Sequence, residues 1–487
     1  MPKSKSSKKN LNPKTKYLRN FVFALVGFFL ASLILNQFID LNPSWDSPKT
    51  LKSKDGVLEV ALDAKKSDVV IGGKKQKSNV WNGDYIADTW EVKGGDTIKV
   101  HFVNNMTDPT NLHFHGGHVS PKGNSDNVLL TIHPGETFDY EYKLPESHPP
   151  GLYWYHPHLH HYTDNQVMGG MLGAIKVLGD IDELPGIKGV TERTLVLTTV
   201  DEGNDVVRLV NNKLDPTLYV RPFETVRLRI LNASSDDFYN LQIPGEKLNI
   251  ISRDGNTLSE VVRVDSEVLA PGDRIEVLYR AGMWGKVDVK SLKYDAGGFT
   301  YPEESFMKIR VFGLPVIPKE LPTKLLPHED FRNAEVVRTR TLTFSEGGTP
   351  DNTTFLLDGK EFDPNEISQI MTLGTTEQWN LVNTSGDVHP FHIHINPFQV
   401  LSVNGVDIDR KGYDDTFPVP ANGNVVIKTK YTDFDGKYVL HCHILFHEDH
   451  GMMQVVEVIK PGASTTADNG FPERESMPGM DHSMHEM

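Results

Sequence analysis

The chain has 487 residues, 38% of them hydrophobic, with 40 glycines and 30 prolines. It is too long for one ordinary core, so two or three domains are expected, and it is punctuated for many short strands rather than long helices, which predicts an all-β protein. A formal charge of −15 offers no basic surface for phosphate neutralisation and excludes nucleic acid as a partner, while a single cysteine, Cys442, excludes a disulfide framework and any Cys-rich zinc or iron–sulfur site.

At the N-terminus, seven basic residues from Lys3 to Arg19 precede an apolar run from Phe21 to Leu35. A basic cluster followed by an apolar core is the pattern of an export signal. Asn36, Gln37 and Phe38 stand where a small-x-small cleavage site would be, so segment 1–45 is expected to act as an uncleaved membrane anchor. The basic cluster would stay cytoplasmic, placing the rest of the chain in the periplasm or on the outer face of the cytoplasmic membrane, anchored or released after cleavage.

Three copies of one strand pattern follow: DTIKVHFVNN at Asp96 to Asn105, ETVRLRILNA at Glu224 to Ala233 and TTEQWNLVNT at Thr375 to Thr384. In each, a Thr precedes an Asn by seven positions, and apolar and polar residues alternate as in a strand. A second correspondence joins only the outer copies. Gly151 and Tyr153 precede His156 and His158 as Gly436 and Tyr438 precede His441 and His443, while no His occurs between His161 and His328. Three related β domains are therefore expected, at 55–180, 185–315 and 335–460, the middle one without metal ligands. A proline-rich connector from Pro315 to Pro327 leads into the third. The polar tail, 461–487, ends in MPGMDHSMHEM, whose thioethers and imidazoles suit copper. An unstructured solubilising role fits it as well.

Residues i and i+2 of a strand share a face, so a His-x-His pair presents two imidazoles side by side. Four such pairs occur: His113 and His115, His156 and His158, His392 and His394, His441 and His443. Eight imidazoles from two matching domains suit copper and predict a cage at their interface. Zinc is the chemical runner-up, but a zinc site needs only three or four ligands. Cys442, between His441 and His443, faces the opposite way and should serve a separate centre. His389, Cys442, His447 and Met452 supply the two imidazoles, thiolate and weak axial thioether of a blue-copper site. Pro157 stands where domain one would need that cysteine, leaving a single place for electrons to arrive.

HFH, WYHPHLH, HPFHIH and HCHILFHEDHGM together resemble the four copper-binding motifs of the multicopper oxidases, in the laccase-like branch with three consecutive cupredoxin-like Greek-key β-sandwich or barrel domains. The resemblance spans about residues 57–460. It implies type 1 copper on His389, Cys442, His447 and Met452, type 2 copper on His113 and His392, and a type 3 pair on His115, His156, His158, His394, His441 and His443. The implied activity is copper-dependent oxidation, one electron at a time, of a phenol, aromatic amine or metal ion such as Cu(I), coupled to four-electron reduction of dioxygen to water at four coppers. Dioxygen and a small reductant are the expected partners of a monomeric core.

Protons must reach the cage, and Glu448 and Asp126 are the candidate carboxylates. Asp387 is placed to hydrogen-bond His389, and an axial Met452 predicts a low-to-moderate potential. His118, His160, His161 and His450 are read as supporting or surface residues, and His101, His133, His148 and His328 as ordinary structural or exposed ones. A non-catalytic cupredoxin-fold cell-envelope scaffold would have lost ligands that this chain keeps, and a copper nitrite reductase would need no cage.

Overall fold

The computed structural model describes residues 13–36, 40–42, 45, 48–202, 205–349 and 352–464. The Met/His tail expected to gather copper and the first lysines of the basic cluster lie outside the described residues. Pro13–Asn36 forms a helix, which the sequence allows because Gly27 is its sole interior breaker. Among the described residues no helix is long and apolar enough to cross a membrane, and the side chains of 28–30 and 32–36 in the apolar run are outside them.

The remainder is all-β and repeats one plan. In each domain the predicted strand pairs in parallel with the domain's first long strand: Thr97–Asn104 with Val57–Ile71, Thr225–Asn232 with Thr191–Glu202, and Thr376–Asn383 with Arg338–Thr349. The asparagine closing each copy explains why it recurs. Asn104 donates to the carbonyls of Asp108 and Ile132, Asn232 to those of Asp237 and Leu269, and Asn383 to those of Asp387 and Val419. Each Oδ1 accepts the backbone N–H two residues on. The side chain thus satisfies buried backbone groups of the turn that leaves the strand.

A second sheet in each outer domain carries the histidines. In the first domain its order is Thr50–Lys52, Thr89–Lys93, Gly173–Leu178, Gly151–His156, His113–His115, and in the third Ile367–Thr372, Met453–Ile459, Gly436–Cys442, His389–Ile393, Thr416–Val419. His113 lies opposite His156, and His392 opposite His441. The equivalent middle-domain strand, Tyr239–Gln242, has no histidine. Cys442 and Met452 are packed into the third domain's apolar core with Phe391 and Phe417.

Candidate metal centre

Of the four His-x-His pairs, His113 and His115 alone lie wholly within a strand. The strands Gly151–His156, His389–Ile393 and Gly436–Cys442 end before His158, His394 and His443. Strict alternation therefore does not hold throughout. Pro157 has no N–H to continue a ladder, and the third-domain chain turns so that His443 N donates to Pro390 O at 2.7 Å. All eight imidazoles nevertheless converge, fully buried, where the two domains meet. His113 stacks on His394 with ring centroids 3.9 Å apart, and His115 on His392 at 4.0 Å.

Within the cage, the Nε2 atoms of His158, His394 and His441 form a triangle with edges of 3.1, 3.2 and 3.4 Å. Three nitrogens at the ~2.0–2.1 Å bond length of a small divalent ion would stand about 3.3–3.6 Å apart, so the triangle has the size of one ligand face. On the other side, His443 Nε2 is 3.1 Å from His115 Nδ1. His113, His156 and His392 each present an Nε2 that is buried without a hydrogen-bond partner. Such atoms are costly unless something fills the gap.

The other ring nitrogens explain why the inward ones are bare. His156 Nδ1 faces Pro157 O at 2.7 Å, His392 Nδ1 faces Asp415 O at 2.8 Å, and His441 Nδ1 faces Cys442 O at 2.9 Å. A carbonyl can only accept, so the proton sits on Nδ1 and the Nε2 lone pair points into the cage. Burial, then neighbouring imidazoles, pushes His113, His115, His158, His394, His441 and His443 well below the usual histidine range, and burial takes His156 down to about 3. These seven are neutral donors, the state a metal requires.

A second cluster lies on the far side of Cys442. Its Sγ is 3.6 Å from His389 Nδ1 and 3.7 Å from His447 Nδ1, and the two nitrogens are 3.3 Å apart. The local fold closes this triangle. After the strand, the helical turn Leu445–Asp449 returns His447 to the cysteine, and Gly451, in the left-handed region at φ 112°, ends the turn. Met452 then comes back alongside, its carbonyl accepting from Cys442 N at 3.0 Å and its own N–H donating to His447 O at 2.9 Å. Burial pushes the Cys442 thiol up and the His447 imidazole well down.

Asp387 does not hydrogen-bond His389, contrary to expectation. Its carboxylate accepts from Gly298 N on a hairpin of the middle domain. The partner of His389 Nε2 is Ser385 Oγ, at 2.7 Å, with Glu346 Oε1 at 3.3 Å. Asn383 explains the substitution. Its amide donates to two carbonyls, so its Oδ1 accepts from Ser385 N and, at 2.8 Å, from Ser385 Oγ. The hydroxyl proton being used there, Ser385 Oγ accepts from His389 Nε2–H, and His389 Nδ1 is left bare toward Cys442 and His447. The repeat asparagine thus fixes a tautomer at the cysteine site.

Glu448 and Asp126 both reach the cage. Glu448, fully buried, has Oε1 3.3 Å from His158 Nδ1 and Oε2 3.2 Å from His441 Nδ1, and accepts from Thr163 Oγ1 at 3.1 Å. Burial, reinforced by Asp449, drives its carboxyl well above the usual range. Asp126 holds His113 Nδ1 with both oxygens at 3.0 Å and accepts from Phe114 N at 2.8 Å, while burial pushes it up to about 8. Asp449 spans the domains, accepting from the N–H groups of Thr163 and Asp164 at the start of the helix Thr163–Met168. His118 and His161 also bridge the outer domains, to Ile395 O, Asp433 and Asp449 O.

The middle domain, expected to be mainly structural, forms part of the cage wall. Arg274 makes a bidentate pair with Asp415 at 2.7 and 2.6 Å and donates to Leu152 O of the first domain at 3.2 Å. Asp415 in turn lies 3.5 Å from His115 Nε2 and 3.6 Å from His392 Nδ1. At Gly272, φ 88°, a Cβ would stand 2.9 Å from the His443 ring. Sequence patterning carried no sign of Arg274 or Asp415, which are 141 positions apart.

The donor set, two histidine-lined clusters joined through Cys442, fits copper. Family models described as multicopper oxidase match residues 63–180, 191–286 and 335–462. A multicopper oxidase of Staphylococcus aureus is 29% identical over 443 residues, covering 85% of this chain and 92% of that one. The laccase of Bacillus subtilis is 26% identical over 525 residues, covering 88% and 100%. The solved multicopper oxidase of Campylobacter jejuni, described as a metallo-oxidase, superposes with a TM-score of 0.74 at 27% identity, covering 84% of this chain and 92% of that one. With its three cupredoxin-like domains and its paired histidine clusters, the chain belongs to the multicopper oxidase family of oxidoreductases, in its laccase-like branch.

Proposed function

We propose that the chain oxidises a small reductant one electron at a time at a type 1 copper held by His389, Cys442, His447 and Met452, and reduces dioxygen to water at three further coppers. His113 and His392 would hold the type 2 ion, and His115, His156, His158, His394, His441 and His443 the type 3 pair. The observation that carries this reading is that all the expected histidine and cysteine donors fall into two clusters, buried apart from the partly exposed His447, that are bridged by one tripeptide, His441–Cys442–His443. When bound, copper supplies the one-electron and oxygen chemistry.

The residues supply the rest. His441 and His443 adjoin Cys442 covalently, and the His441 Nδ1 to Cys442 O hydrogen bond adds a second short link between the clusters. Asp126 orients His113. Glu448 holds a proton next to His158 and His441, with Thr163 as its hydroxyl neighbour. Two half-buried carboxylates stand on the His389 side of this cluster, Glu346 with Oε1 3.3 Å from His389 Nε2 and Asp387 two residues before it, which favours a cationic reductant such as Cu(I) or an aromatic ammonium over an anion. The retained donors weigh against a scaffold role. The N-terminal basic and apolar run supports export and retention at the outer face of the cytoplasmic membrane.

Copper-loaded protein is expected to bind four ions and to show intense blue absorption with a type 2 EPR signal. Blue colour without that signal would remove the trinuclear reading. Oxygen uptake with Cu(I) and with a phenol, with and without residues 465–487, separates the two reductant classes. Glu448→Gln should slow reoxidation of the reduced enzyme by oxygen by about 10²-fold or more. Anaerobic bleaching of the blue band by reductant should be unchanged. Equal rates of reoxidation in the two proteins would remove Glu448 from proton delivery.

A further inference from the structure

The segment that follows the N-terminal helix is fastened to one end of the middle domain. Asn42 clasps Tyr219, donating to its carbonyl at 2.6 Å and accepting from its N–H at 2.8 Å. Trp45 Nε1 donates to Thr217 O at 3.2 Å, and Asp40 pairs with Arg193 at 2.7 Å. The helix ends at Asn36, four residues before Asp40. Four residues of fully extended chain reach about 14 Å, so the helix end stays within that distance of this attachment.

Three loops are tied together at the same end. Phe223 N donates to Gly282 O, Val316 N to Pro222 O, Val311 N to Gly285 O and Phe312 N to Val220 O. They turn Met283, Trp284, Phe312 and Ile317 outward, with Trp284 82% and Ile317 84% exposed. Phe312 also touches Tyr219, the residue clasped by Asn42, at 6.2 Å between ring centroids. Single exposed apolar residues are ordinary, but four large ones on adjoining loops mark a contact surface. Here that surface lies beside the root of a helix whose Phe21, Phe23 and Leu25 are exposed too.

We propose that this end of the middle domain rests in the interfacial layer of a lipid membrane, with Trp284 at headgroup depth and the helix Pro13–Asn36 as the tether. Tryptophan's apolar ring and polar N–H suit that layer. The inference rests on the proposed membrane association of the N-terminal helix and adds which face of the folded domains meets the lipid. Two attachments a few residues apart fix the orientation of the enzyme, where a tether alone would let it swing.

The test uses full-length, copper-loaded protein and phosphatidylcholine–phosphatidylglycerol vesicles, with and without brominated acyl chains. The fluorescence difference between wild type and Trp284→Phe isolates Trp284, and it should be quenched by brominated vesicles alone. The double variant Trp284→Lys/Ile317→Lys should bind vesicles on the order of 10-fold or more weakly, with oxidase activity in solution unchanged. If the wild type does not bind vesicles, the tether reading fails and this inference with it. If it binds but Trp284 is unquenched and the double variant binds equally well, the tether stands and the proposed face is overturned. A lipid-free dimer that the double variant dissociates would instead assign the face to a second copy of the chain.

Discussion

Cys442→Ser is expected to give a folded protein that has lost its blue absorption and its oxidase turnover while keeping the copper of the histidine cage. The loss should be selective because the two clusters share a chain segment but no donor atom. The thiolate sulfur faces His389 and His447, and the cage nitrogens belong to the flanking histidines. The Cys442 carbonyl that fixes the His441 tautomer, and the Cys442 N–H that bonds Met452 O, survive the substitution. Turnover should fall by more than about 100-fold, since even outer hydrogen-bond partners of metal ligands can cost that much and Cys442 is a donor itself. The stability cost should be about 1–3 kcal/mol, for a hydroxyl left in the apolar setting of Phe391 and Met452. Copper analysis, absorption and EPR on one preparation check it. Loss of the type 2 signal along with the blue band would mean that the clusters are not independent.

The cysteine site was legible in the sequence because its donors are local: Cys442, His447 and Met452 fall within one strand-turn segment, and strand alternation sets the sulfur on the face opposite His441. The three strand copies were legible for a related reason, since Thr97, Thr225 and Thr376 each open a strand and Asn104, Asn232 and Asn383 close it. What the asparagine does was not legible. That Asn383 fixes Ser385, and Ser385 fixes His389, depends on how a short loop folds back, and the same fold turns Asp387 away to Gly298. The middle domain has no histidine and so offers the cage no imidazole. Its contribution through Arg274 had no local pattern to reveal it, because the partners come from other sheets and other domains.

Removal of the Arg274 side chain should have the largest effect of any change outside the donors. Arg274 and Asp415 are both buried, and Asp254 organises both, accepting from Arg274 N at 3.0 Å and from the N–H groups of Asp415 and Thr416 at 3.1 and 3.2 Å. Arg274→Met leaves the Asp415 carboxylate charged without its partner, a cost of about 3–5 kcal/mol. The melting temperature of the metal-free protein should drop by roughly 10 °C. The strand around Asp415 also carries the carbonyl that holds His392 Nδ1 and the Thr416 hydroxyl 3.1 Å from that nitrogen. Its displacement should therefore weaken the type 2 signal and lower copper content before the blue band fades. Arg274→Lys keeps the charge but loses the fork, and should fall between the two proteins. Arg227→Met provides the control: that arginine is equally buried, but its partners are Glu276, Asp182 and Glu192 within the middle domain and its link to the first. It should lose comparable stability and leave the type 2 signal intact. If both variants melt early with identical EPR spectra, Arg274 only stabilises the fold. If the type 2 signal falls in Arg274→Met alone, the domain without copper ligands sets the geometry of the ones that have them.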